Sequence, residues 1–144
     1  MRATIDVGID LGTTNSAVAV AEDGSVDVVK NNDNQHTTPS VVQLLDNGAV
    51  IVGRKAYEHY RAHGPGDAHA GAKRQMGKHD IRYPFAAAGV EFGPEDLAAE
   101  VLKSLRADAE MWVNEPVQAA VITVPAAFEL AQCEATTRAA ARAG

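Results

Sequence analysis

The sequence predicts an α/β fold: a β-meander followed by strand-helix units, with a small inserted subdomain. Three observations predict it. The first thirty residues alternate apolar and polar between turn residues, as short antiparallel strands do. From Pro94 onward, apolar residues recur at three- and four-residue spacing, the period of a helix with one buried face. Between that helix and a second helical segment runs VQAAVITVP, an apolar stretch of strand length, so helices and strands alternate rather than segregate.

The elements follow in order. Strand one covers residues 4–10 and strand two about 15–22; Asp23-Gly24 is a hairpin turn pair, and strand three covers about 25–29. The polar run 31–36 suits a crossover between layers. Pro39 opens SVVQLL, and Asn47-Gly48 turns it into AVIVG, a second hairpin. RKAYEHYRAH reads as a short helix stopped by His63-Gly64-Pro65-Gly66, and residues 70–76 as another helical piece stopped by Gly77. Residues 78–92 read as loop with a strand near 89–92. Pro94 suits a first helical position, and Glu95 and Asp96 place negative charge at the positive end of the helix dipole. Leu97, Val101, Leu102, Leu105, Ala109, Trp112 and Val113 form the helix's apolar stripe, with Trp112 as a core anchor. VQAAVITVP is a buried strand ended by Pro125, and residues 129–144 form the last helix, with Gly144 in C-cap position. The expected division is a core subdomain of residues 1–37 and 114–144 with a peripheral subdomain, 38–113, inserted in it.

Composition narrows the function classes. The 144 residues, 46% of them hydrophobic, suffice for one domain with a core. A formal net charge of −6 argues against general nucleic-acid binding, yet leaves room for a local anion site built from backbone N–H groups. The single cysteine, Cys133, excludes an internal disulfide framework and fits a reducing compartment. The start, MRATIDVGID, lacks a signal-peptide profile, and no apolar run approaches the roughly 18–20 residues of a membrane-spanning helix. A soluble, cytoplasmic protein is expected.

One stretch is overqualified for a plain hairpin. VGIDLGTTNSAVAV places Asp10, Gly12, Thr13, Thr14 and Asn15 where one strand ends and the next begins. The turn joins two strands, so the strand-to-helix mechanism of Walker and dinucleotide loops does not apply. A turn of this kind can instead aim consecutive backbone N–H groups into one concavity. Gly12 admits a phosphate without a Cβ in the way, and the two threonines add hydroxyl donors. Asp10 at the strand end is placed to hold Mg²⁺ against the same phosphates. The competing reading is an ordinary hairpin with polar turn residues.

Longer strings decide between the two. IDLGTTNSAVAV resembles the first phosphate motif of the actin-like ATPase superfamily, whose members include actin, sugar kinases and the seventy-kilodalton heat-shock chaperones. HTTPSVV, VGRKAY, AKRQMGK, GPEDLAAEVLKSLRADAE and VQAAVITVPAAFELAQCEATTRAAARAG resemble later segments of the chaperone group, in that group's order and over nearly the whole chain. Details such as KRQMG and LKSLRADAE look more like a specialised bacterial branch of the DnaK-like chaperones. The resemblance implies the first lobe of an actin-like ATPase fold, ribonuclease H-like in its core, and ATP/ADP with Mg²⁺ as ligands. It implies ATP hydrolysis that drives binding and release of unfolded peptide clients, with a J-domain protein and a nucleotide exchange factor as co-chaperones.

The resemblance also assigns residues. Asp10 matches the Mg²⁺-associated aspartate, and Gly12, Thr13, Thr14 and Asn15 match the turn that wraps the β- and γ-phosphates. Lys73 matches the lysine that reaches the γ-phosphate and the attacking water, so Lys73 and Thr13 are the catalytic candidates. Arg74 matches an arginine near the adenine ring, and Pro125 a proline that relays nucleotide state to the peptide-binding domain. From spacing alone, Lys73 and Arg74 read as solvated helix charges and Pro125 as a strand terminator. Three positions depart from the family pattern: Ala127 replaces an aromatic, Cys133 a basic residue of the relay, and His36 an arginine before TTPS.

Other candidates carry less. His59 and His63 have metal-ligand spacing on a helix, but Tyr60 stands where the zinc-protease pattern needs a glutamate, and exposed histidines are the expectation. Cys133 reads as a half-buried helix residue without a base partner. The second phosphate motif and the adenosine motif of the family have no counterpart in these 144 residues. The chain therefore reads as a fragment, without appreciable ATPase activity alone. A sugar-kinase-like phosphotransferase and a non-catalytic interaction domain are the competing readings. AKRQMG and VPAAF weigh against the first, and the presence of Asp10, Thr13 and Lys73 against the second.

Overall fold

Period-two burial builds the central sheet of the computed structural model, which describes residues 7–144. Strands β1 (Val7–Asp10) and β2 (Asn15–Glu22) pair antiparallel, from Val7↔Val20 to Asp10↔Ala17. Residues 4–6, expected to open the first strand, lie outside the described residues. On β2 the buried positions are Ser16, Val18 and Val20, so one face of the sheet enters the core. Asp23 and Gly24 both take positive φ, 49° and 80°, as the tight turn into β3 (Ser25–Val28) requires. The two-residue β4 (Thr38–Pro39) pairs with the start of β2. Far along the chain, β10 (Val121–Thr123) returns parallel to β1, giving the order β10-β1-β2-β3.

That last strand corrects an expectation. VQAAVITVP reads as a buried strand, yet only Val121–Thr123 pairs, and Val121 is 58% exposed. Its apolar composition suits a covered strand, but β10 occupies the end of the described sheet and has β1 as its only strand neighbour there.

A second, three-stranded sheet has the order β6-β5-β7. Its centre, β5 (Val41–Leu44), is buried on both faces. Val41 packs with Ala56 of α1 (Arg54–His63) and with Ala68, while Val42 and Leu44 join the main core. The hairpin to β6 (Val50–Val52) turns at Asn47-Gly48, where Gly48 has φ 85°. β7 (Ala68–Ala70) was not legible: AHA has no β-branched or aromatic residue, and pairing with β5 overrides its weak propensity. The helical piece expected at 70–76 shrinks accordingly to one 3-10 turn, Ala72–Gln75. In the 78–92 segment, β9 (Val90–Phe92) has a partner, β8 (Tyr83–Phe85), which Pro84 hides from a strand pattern.

Helices α2 (Pro94–Val113) and α3 (Leu130–Ala143) pack together over the sheet. The N–H of Gly93 donates to Asp96 Oδ2 at 2.8 Å, half of a capping box, and Asn114 in a left-handed conformation ends α2. Leu97, Val101, Leu102, Leu105 and Ala109 are buried as the spacing predicts. Trp112 is not the expected anchor: it is 45% exposed, while Ala109 and Val113, four residues apart, carry the packed face on past it. The α3 positions that pack inward are small, Ala135, Thr136 and Ala139. At one edge of the helix pair, Arg138 reaches Glu95 at 2.6 Å and Arg142 reaches Asp96 at 2.5 Å. The Arg138 hydrogen bond above all, aided by the charges of Arg138 and Arg142, holds the Glu95 carboxyl below its ordinary value.

Asp108, on α2, shows the opposite effect. Burial, and secondarily the charge of Asp33, push its pKa from 3.8 up to about 6. Between those values the folded protein keeps a proton that the unfolded chain has lost, so stability falls as pH rises through the window. Asp108→Asn is expected to remove that slope and to stabilise the protein at pH 7 by about 1 kcal/mol, a figure reduced for solvent screening of the half-buried side chain. Urea melts of both proteins at pH 4 and pH 7 check it; equal pH slopes would contradict it.

Candidate functional site

Three strand ends meet at Asp10. In the paired registers it faces Ala17 of antiparallel β2 and Thr123 of parallel β10. The carboxyl end of a parallel strand pair is where open α/β sheets place ligands. The Asp10 side chain is exposed, with Oδ1 3.5 Å from Thr123 Oγ1, and the same hydroxyl lies 3.4 Å from Ile9 O. Leu11, buried, anchors the chain one residue further on.

The turn that follows is closed by side chains. A Cβ at Gly12 would fall well inside contact distance of the Asn15 carbonyl oxygen, so this closure needs glycine for space rather than for φ. The Gly12 N–H donates to Ser16 Oγ at 3.2 Å, and Ser40 Oγ donates to Gly12 O at 2.9 Å. The two serine hydroxyls meet at 2.8 Å, and the Ser40 amide donates to Thr14 O at 2.9 Å. This corrects part of the expectation: the Gly12 N–H is bound within the protein. The Thr13 and Thr14 amides find no acceptor among the described residues.

Gly12, Thr13 and Ser40 line a narrow cleft together with His69, Ala72 and Lys73, and Leu97, Ala98 and Val101 of α2 supply apolar lining. Gly71, in a left-handed conformation with φ 75°, starts the 3-10 turn that carries Lys73 there. Among the described residues no carboxylate pairs with Lys73. His69 is 7% exposed and flanked edge-on by Phe85, with ring centroids 4.8 Å apart. Its Nε2 lies 2.6 Å from the Pro84 carbonyl, so Nε2 carries the proton and donates. Tyr83, also edge-on to His69, has its hydroxyl pKa raised by burial.

The structure thus gathers Gly12, Thr13 and Lys73 at one cleft, with Asp10 at the adjoining strand end. Thr14 and Asn15 are exposed at the outer end of the turn, Asn15 opposite Pro39. Arg74 is exposed and outside the cleft lining. So is Pro125, whose carbonyl accepts from the Phe128 N–H at 3.0 Å. His59 and His63 sit with ring centroids 4.6 Å apart, and no group of three or more metal-ligating side chains occurs among the described residues. Four residues of this region escape sequence reasoning: Ser16, Ser40, His69 and Thr123. Ser16 alone left a signal, a polar residue in the buried phase of β2.

The sequence that builds this fold belongs to a known class: a family model described as Hsp70 protein matches residues 6–144, and the chain belongs to the Hsp70 family. Two of its relatives are named Chaperone protein DnaK, from the R1 and NRC-1 strains of Halobacterium salinarum. Each is 40% identical over 138 residues, which is 96% of this chain and 21% of theirs. The chain spans about a fifth of the length of these curated relatives.

Proposed function

We propose that this chain forms the phosphate-gripping part of the ATP site of a DnaK-like chaperone, in the first lobe of an actin-like ATPase fold. The observation that carries this is that Gly12, Thr13 and an unpaired Lys73 line one cleft, while the Thr13 and Thr14 amides find no acceptor among the described residues. Anionic oxygens suit such a concavity, because backbone N–H groups and an ammonium are donors only. Residues 1–37 and 114–144 act as core subdomain and 38–113 as the peripheral one.

The residues present also fit Mg²⁺. Asp10 is exposed at the end of β1 and has no cationic partner among the described residues, so its carboxylate is a donor open to a cation. Asp10 would hold the ion, which when bound neutralises charge on phosphate oxygens. The remaining work falls to the chain. Thr13, Thr14 and Asn15 bind and orient the phosphates, and Lys73 stabilises charge that develops on the transferred phosphoryl group. Arg74 lies beside the adenine, and Pro125 relays nucleotide state. In the whole protein, located in the cytoplasm, ATP hydrolysis drives peptide-client binding and release with a J-domain protein and a nucleotide exchange factor.

Calorimetric titration with ATP tests the reading, once with Mg²⁺ and once with EDTA. Binding is expected to tighten with Mg²⁺, and Asp10→Asn to remove most of that difference. No ATP binding under either condition would overturn it.

A further inference from the structure

The hydroxyls around Gly12 have a fixed direction. Ser40 Oγ has one proton, and it goes to the Gly12 carbonyl. At the 2.8 Å contact between the two serines, Ser16 must therefore be the donor. Ser16 Oγ in turn accepts from the Gly12 N–H. The result is a closed ring, Gly12 N–H to Ser16 to Ser40 to Gly12 C=O, in which each hydroxyl donates once and accepts once. Same-sense chains of this kind strengthen one another, and Ser16, 1% exposed, has no water to replace a lost partner.

We infer that Ser16 and Ser40 are positioning residues for the phosphate turn: their ring clamps the Gly12 peptide by both of its polar groups, leaving the Thr13 and Thr14 amides as the donors offered to phosphate. The inference rests on the phosphate-binding reading above. Ser40 has the wider reach. Its amide also holds Thr14 O, and it immediately precedes β5, which pairs with β7 and so leads to Gly71 and Lys73. One residue thereby ties the turn to the strand pair that leads to Lys73.

The test uses the intact protein with two variants, Ser40→Ala and Ser40→Thr, and two probes, ATP and adenosine. Ser40→Ala is expected to bind ATP about tenfold more weakly, equivalent to ~1.4 kcal/mol, with adenosine affinity within about twofold of wild type. Ser40→Thr, which keeps the hydroxyl, restores ATP affinity. Unchanged ATP affinity in folded Ser40→Ala, or an equal loss for ATP and adenosine, overturns the inference. Amide hydrogen exchange of the wild type covers the case of a variant that does not fold. Without nucleotide the Gly12 amide is expected to be protected and those of Thr13 and Thr14 to exchange freely, the latter two slowing with ATP. A Gly12 amide as fast as its neighbours overturns the clamp. A wild type that binds ATP no better than adenosine sinks the phosphate reading itself, whatever Ser40 does.

Discussion

Lys73→Ala is expected to lower ATP turnover in the whole protein about 10²–10³-fold, the usual cost of removing one preorganised charge-stabilising donor. The expectation follows from placement. Lys73 lines the same cleft as Gly12 and Thr13, and among the described residues it has no carboxylate partner. An ammonium that is unpaired within the protein is available to a ligand. For the same reason its removal breaks no internal ion pair, and stability should change by less than about 0.5 kcal/mol. The loss should fall on the chemical step rather than on binding, since the phosphoryl oxygens carry their extra charge in the transition state. Single-turnover hydrolysis and ATP affinity, measured on the same preparation, separate the two. Hydrolysis at the wild-type rate would remove Lys73 from the site. A loss confined to ATP affinity would recast it as a ground-state contact.

How far the sequence reveals this molecule depends on how local each feature is. The β1–β2–β3 meander and helix α2 announce themselves, because alternation, an Asp-Gly turn and a capped helical stripe are written in neighbouring residues. β7 and β8 do not: three residues each, one an Ala-His-Ala and one built around proline, they are strands only because β5 and β9 pair with them. The same non-locality hid the surroundings of the turn. Gly12 stands out in its motif, but Ser16 and Ser40 are 24 residues apart and meet only in the folded chain. Lys73 is an extreme case. Its spacing is that of a solvated helix lysine, and only resemblance to a family marks it. Trp112, Val121 and Val124 fail in the other direction. Their composition asks for burial, yet their positions on α2 and along the edge strand leave them exposed while Val113, Val117 and Ile122 reach the core.

Phe85→Ala, in the hairpin that the sequence half concealed, is expected to destabilise the protein by about 3–5 kcal/mol. Phe85 is fully buried and meets Phe92 edge-on at 5.1 Å and His69 edge-on at 4.8 Å. Deleting the ring removes both contacts and leaves a cavity in the main core, which would take a large share of the roughly 5–15 kcal/mol that holds a domain folded. Phe85→Leu, which keeps most of the volume, should cost less than Phe85→Ala by at least about 1 kcal/mol. Urea unfolding measures both, and a Phe85→Ala cost below about 1 kcal/mol would contradict the packing described. The variant also interrogates the cleft. His69 is edge-on to Phe85, bonds the Pro84 carbonyl and lines the same cleft as Gly12 and Thr13. If ATP affinity of the folded fraction falls along with stability, the β8–β9 hairpin sets the width of the phosphate cleft as well as filling the core. If affinity holds while stability drops, His69 is fixed by its bond to Pro84 alone, and the hairpin serves the fold without tuning the site.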